Sequence, residues 1–201
     1  MLRLFDACVR TLPVACLLLC MRPLAAAAHP HMFIFNQVKA AFDSGRLLGF
    51  SLDWLFDDLS TQGFLPRRNP AAGPLTPAEI AHLQRDAFSN LKKVDYFVHV
   101  WQNGRKVKIG KAQSFTARFQ GDQMDYRFYV PLVVPIDTKQ GPILADFYDE
   151  TYFVDLSFND EPKAITLASN PPSCTAKMLD EDPTHRIPFW GVHPEGILIR
   201  C

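Results

Sequence analysis

MFIFNQVKAAF at residues 32–42, DSG at 43–45 and LLGFSLDWLF at 47–56 form the stretch on which the fold turns. The first and third pieces alternate loosely and are rich in Phe, Ile, Val and Leu, and Asp43-Ser44-Gly45 between them has turn chemistry, so the stretch reads as a β-hairpin. Outward from it the same grammar repeats. Tyr96–Trp101 and Lys106–Ile109 flank Gln102-Asn103-Gly104-Arg105, whose Asn-Gly is the strongest short hairpin signal. Further strands are expected at Ser114–Gln120, Asp125–Val133, Pro142–Phe147, Tyr152–Phe158 and Lys163–Leu167, separated by turns at Gly121-Asp122, Asp137–Gly141 and Asn159–Pro162.

One helix interrupts the strands. Residues 63–77 hold four prolines and two glycines and read as a loop ending in Thr76-Pro77-Ala78-Glu79, which has a cap, a proline at the first helical position and the glutamate of a capping box. Ile80, Leu83, Ala87, Phe88 and Leu91 then recur at three- and four-residue spacing, predicting a helix from Pro77 to about Lys92 with one buried stripe. The expected architecture is β-rich (α+β): an antiparallel β-sandwich-like domain with one packed α-helix. Sixteen Phe, five Tyr and three Trp in 201 residues supply large apolar surface for its core. From Asn170 onward, five prolines and little periodicity suggest an extended tail over the surface.

The first twenty-eight residues read as something other than fold. Arg3 and Arg10, an apolar stretch from Leu12 to Leu19, and Ala25-Ala26-Ala27-Ala28 follow the order of a secretory signal peptide. The apolar stretch is shorter than the ~20 residues of a membrane span, which disfavours an uncleaved anchor. A lipoprotein reading through Cys16 or Cys20 is weaker still. The expected division is a signal peptide at 1–28, a β-rich domain at 29–178 and a tail at 179–201, in a periplasmic protein whose mature chain starts at His29. After cleavage no membrane insertion is expected, because the longest apolar run, Tyr129–Ile136, carries two prolines. The 21 basic and 21 acidic residues balance, so the electrostatic footprint of a nucleic-acid partner is missing. Of the five cysteines, only Cys174 and Cys201 would survive processing. They can form one bridge in an oxidising compartment, unless Cys201 is frayed and free at the end of the chain.

Gly-x-Ser-x-Gly, a glycine-rich phosphate loop, Cys-x-x-Cys and His-Glu-x-x-His are all absent. What remains is the new terminus, His29-Pro30-His31. A terminal amine with pKa near 8, the His29 ring and the His31 ring make a three-nitrogen donor set. Pro30 has no amide hydrogen and so forbids the square-planar site that a third-position histidine otherwise builds. Such donors suit Zn²⁺, Ni²⁺, Co²⁺ or Cu²⁺ and do not choose among them; zinc is the first expectation. The bland account is that both histidines are the solvated start of a strand. Candidate completing ligands are Asp57 in Asp53-Trp54-Leu55-Phe56-Asp57-Asp58, Asp149 in Tyr148-Asp149-Glu150-Thr151-Tyr152, and His99. For the acids, turn capping is the competing account. His99 alternates with Phe97 and Trp101 and could equally be a core histidine. His185 and His193 in the tail are auxiliary candidates, and His82 lies off the apolar stripe of the helix.

Several pieces together resemble one family of exported proteins: His29-Pro30-His31-Met32-Phe33-Ile34, Trp54-Leu55-Phe56-Asp57-Asp58 with Ser60, Asn90-Leu91 leading to Asp95-Tyr96-Phe97, Asn103-Gly104-Arg105, Tyr148-Asp149-Glu150-Thr151-Tyr152-Phe153, and Pro171 to Cys174. That family comprises periplasmic components of an uncharacterised transport system associated with nickel/cobalt-type transporters, and includes zinc-binding members of the ZevA type. The resemblance covers most of residues 29–178 and has no counterpart after Met178. It implies a non-enzymatic periplasmic protein that binds a divalent transition metal and serves an integral-membrane metal transporter. Many members carry an acidic Asp-x-Asp-x-Asp-Gly loop before the helix. Here that position reads Pro66-Arg67-Arg68-Asn69-Pro70-Ala71-Ala72-Gly73, so no calcium site is expected. Two other classes stay open: a copper redox enzyme of histidine-brace type, with His99 as its best distant imidazole, and a metal-free interaction module.

Overall fold

The computed structural model describes residues 30–158, 164–168 and 173–201. The expected signal peptide and His29 lie outside them. In chain order the elements are β1 (Met32–Asp43), β2 (Arg46–Phe56), α1 (Asp58–Phe64), α2 (Pro77–Asp86), β3 (Val98–Gln102), β4 (Arg105–Val107), β5 (Gln113–Gln120), β6 (Gln123–Asp137), β7 (Ile143–Phe147), β8 (Val154–Phe158), β9 (Ile165–Ala168), β10 (Thr175–Leu179) and β11 (Gly196–Arg200).

The opening hairpin forms as the sequence suggests. Ser44 and Gly45 both take positive φ, 48° and 77°, the twist that lets a two-residue turn join antiparallel strands. β1 and β2 sit inside the first sheet, ordered β5-β6-β2-β1-β8, where β1 also pairs in parallel with β9. The second sheet is ordered β10-β11-β7-β3-β4. Phe50, Leu52, Trp54 and Phe56 alternate inward from β2, against Val98, Val100, Phe147, Ile197 and Ile199 of the second sheet, and all are buried. Phe50 meets Phe147 edge-on across the interior, with centroids 5.9 Å apart. The expected β-rich sandwich is the observed architecture.

Three local differences bear on the site. α1 was not anticipated; it starts because Asp57 leaves β2 as a helix cap and accepts the Ser60 N–H. α2 has the expected capping box and Pro77 in its first turn, but it ends at Asp86 rather than near Lys92. The chain then winds more tightly through a 3-10 segment, Phe88–Phe97, with Asp95, Tyr96 and Phe97 at positive φ. That reversal lets Phe88 stack on Phe115 and Phe97 stack on Trp54, packing that holds an otherwise unfavourable backbone.

The third difference corrects the expected tail. Residues 175–179 and 196–200 are β10 and β11, and β11 lies inside the second sheet between β10 and β7, with Ile197 and Ile199 wholly buried. The segment after 178 is thus part of the sandwich. Cys174 and Cys201 are joined as a disulfide just beyond the Thr175–Arg200 pair, closing the two strands at their ends. Among the described residues no helix is long and apolar enough to cross a membrane.

Candidate metal centre

The crossover Tyr148–Phe153 carries the chain from β7 in one sheet to β8 in the other, and most of the sequence-predicted ligands collect around it. His31 enters β1 with its N–H donating to the Phe153 carbonyl at 2.9 Å and its ring 5.1 Å from that of Phe153. Asp57 accepts from Ser60 N and Oγ and from Phe33 N, at 2.5–2.9 Å, so it ties the start of β1 to the start of α1. Burial opposes its charge, but these donors outweigh it and hold the carboxyl below its usual pKa. Asp149 is buried inside the crossover; Thr151 N, Thr151 Oγ1 and Val154 N all donate to it, at 2.9, 2.8 and 3.2 Å. Val154 is the register partner of Met32. His31, Asp57 and Asp149 thus share one rim of the first sheet, where both acids cap backbone. Asp53 of the same acidic stretch is engaged elsewhere, in an ion pair with Arg127 at 2.8 Å.

His99 reaches the crossover from the second sheet. Its Nε2–H donates to the Tyr148 carbonyl at 3.0 Å, and its ring stacks on that of Tyr148 with centroids 4.0 Å apart. Burial pulls its pKa down to about 4, so the ring is neutral at pH 7, with its Nδ1 without a hydrogen-bond partner among the described residues. Fixing one nitrogen on a carbonyl is how ligating histidines are usually oriented. However, Trp101 stacks on both His99 and His185, and His99 does not join the cluster that gathers around His185.

That cluster is where ligand atoms converge. Among the described residues, Asp146, Asp182 and His185 form the group of three His, Cys, Asp or Glu side chains whose ligand atoms all lie within 4.8 Å of one another. Asp146 is on β7, directly opposite His99 on β3 and Gly196 on β11. Asp182 and His185 belong to the connection between β10 and β11 that folds back over this outer face. His185 Nδ1 lies 2.9 Å from Asp146 Oδ2 and 2.6 Å from Asp182 Oδ2. The indole of Trp101 stacks on the His185 ring at 3.8 Å and 20°.

The turn itself is built from hydrogen bonds. Thr184 N and His185 N donate to the two oxygens of Asp182, and His193 Nδ1 donates to the carbonyls of Asp182 and His185. Burial, and then the neighbouring Asp182, push the Asp146 carboxyl up to about 9. Burial also acts to raise Asp182, but the Thr184 and His185 contacts prevail and keep it below its usual value.

His185 and His193 figured only as auxiliary candidates in the sequence, and Asp146 and Asp182 did not figure. Asp182-Pro183-Thr184-His185 was a usable signal, because an Asx turn places a carboxylate and an imidazole side by side. Asp146, alone between Ala145 and Phe147, offered none.

A family model described as a protein of unknown function, DUF1007, matches residues 14–188. The chain is also similar to an uncharacterised protein of Haemophilus influenzae, 26% identical over 162 residues that make up 80% of this chain and 77% of that one. A second relative, an uncharacterised 15.5 kDa protein encoded in the trpE 3′ region of Spirochaeta aurantia, is 33% identical over 87 residues, or 43% of this chain and 61% of its own length. The family match extends past Met178 and so takes in Asp182 and His185. The chain belongs to the DUF1007 family.

Proposed function

We propose that this is a periplasmic protein that binds a divalent transition metal, zinc before nickel, cobalt or copper, through its processed amino terminus and serves a membrane metal transporter. The observation that carries the reading is the placement of His31. Strand register with β8 and the Phe153 contact hold the approach to β1 against the same crossover that contains Asp149 and receives the His99 hydrogen bond. The donor at position 31 would therefore stand on a fixed rim, which lowers the ordering cost of binding there. Asp57 and Asp149 shape that rim as caps and add negative charge beside it. The nitrogen donors are the terminal amine and the two imidazoles. His99, the distant imidazole of the copper redox reading, has its ring stacked between Tyr148 and Trp101.

The test is calorimetry with Zn²⁺ and Ni²⁺ on protein whose terminus has been verified by mass spectrometry. His29→Ala with His31→Ala is expected to weaken binding at that site at least tenfold, ~1.4 kcal/mol. Equal affinity in the double variant removes the terminus from the site.

A further inference from the structure

The buried Asp146–Asp182–His185 cluster lies on the outer face of the second sheet and makes no use of the amino terminus. We propose that it is a second metal site, specific for a zinc-class divalent cation (Zn²⁺ or Co²⁺), with Asp146 Oδ2, Asp182 Oδ2 and His185 Nδ1 as ligands.

Charge is the first argument. Asp146 is 0% exposed and Asp182 1%, and the ion-pair partner that both have among the described residues is His185. Two buried carboxyl groups thus meet at one ring, a like-charge pairing that a low-dielectric setting penalises unless cationic charge, from a proton or a metal ion, is added. A divalent ion against a neutral imidazole and the same two carboxylates closes to zero.

Hydrogen-bond supply gives a second, independent argument. Asp146 Oδ1 is buried with no partner among the described residues. It faces the Gly196 backbone so closely that any Cβ at 196 would collide with it. An ion held through Oδ2 and reached by Oδ1 as the second oxygen of the same carboxylate gives that atom a cationic partner.

Geometry and support fit as well. His185 Nδ1 faces two oxygens but carries at most one proton, and separations of 2.6 and 2.9 Å need to open by roughly 0.5–0.8 Å around a tetrahedral ion with ligands at roughly 2.0–2.2 Å. Trp101 fixes the plane of the ring, and the His193 hydrogen bonds fix the turn. This is the kind of outer layer that orients ligands. The His185 side chain is 24% exposed, so ions enter from that side and the fourth position is left to water or an exchanging ligand. Three ligands with one nitrogen suit zinc-class ions and fall short of the six to eight oxygens that calcium takes.

The proposal stands whether or not the terminal chelate exists, and one experiment separates them. Co²⁺ is titrated into processed, full-length protein while the visible absorption is followed, in parallel with thermal melting with and without Zn²⁺. Asp146→Asn and His185→Gln are each expected to lose one equivalent of Co²⁺ and the upward shift of Tm with Zn²⁺, whereas His31→Ala retains both features of this site. Should His185→Gln fail the far-UV circular dichroism check for folding, Asp146→Asn decides alone. A folded variant that keeps the wild-type stoichiometry, or one that merely melts lower in metal-free buffer with its Co²⁺ complement intact, overturns the proposal and leaves the cluster as an ion-pair staple.

Discussion

The rim of the first sheet and the outer face of the second use the same side chains, aspartate and histidine, in opposite ways. At the rim, Asp57 and Asp149 point their oxygens at backbone N–H groups that lie a few residues away or at a strand start. On the outer face, Asp146 and Asp182 each turn an oxygen to a single imidazole; Asp182 also caps Thr184 N and His185 N, but Asp146 keeps one oxygen with no donor among the described residues. A carboxylate surrounded by N–H donors is structurally complete. One that shares an imidazole with another carboxylate in a buried setting is stable only if charge arrives from somewhere. Acidic residues beside histidines are therefore weak evidence for a site until the partners of each oxygen have been counted.

Three perturbations test this contrast. The largest effect belongs to the second sheet alone. Serine at both 174 and 201 removes a crosslink with a sequence separation of 27 residues and is expected to cost ~3–4 kcal/mol in urea unfolding. Hydrogen exchange should rise first in β10, β11 and the 180–195 connection, with the rim last. Uniform loss of protection across both sheets would show that the faces are not independent.

Next comes pH. With a folded-state pKa of about 4 against 6.5 for the unconstrained ring, His99 binds its proton in the unfolded chain first. Between those values the unfolded state is favoured by added acid, so unfolding free energy should climb as pH rises from about 4 to 6.5 and then level off. The full amplitude is at most ~3 kcal/mol. His99→Gln should flatten that segment of the curve; an unchanged slope would assign it to other groups.

The sharpest comparison has the smallest magnitude. Asp149→Ala removes an acceptor from three donors and is expected to destabilise by ~2 kcal/mol, whereas Asp146→Asn in metal-free buffer, replacing a carboxyl that burial already holds toward its neutral form with little change of volume, should stay within ~1 kcal/mol of wild type. Equal costs would erase the distinction between a completed cap and an uncompensated acid.

The fold was legible wherever one face of an element met water. β1 and β2 alternate, the hairpin from 98 to 107 announces itself through Asn103-Gly104, and α2 announces its start through Thr76, Pro77 and Glu79. β11 escaped because Ile197, Leu198 and Ile199 form a short apolar run covered on both faces, which shows neither period. α1 escaped because Asp57 reads equally as a cap or a ligand until the Ser60 N–H is seen to donate to it. The rim was half legible. His31, Asp57, Asp149 and His99 could be chosen by residue type, but only the structure shows that His31 and His99 each bond the crossover that contains Asp149, while Asp57 caps α1. The outer cluster was nearly illegible, since three strands lie between Asp146 and Asp182 in the chain and the two meet only when the 180–195 connection folds back.

The parallel pairing of β1 with β8 has a consequence for biogenesis. A polypeptide emerging amino end first presents its opening strand with one side bare, and the mate for that side follows only after about three quarters of the chain has appeared. Until then the first segment out is an exposed edge, open to a chaperone or to mispairing with another copy.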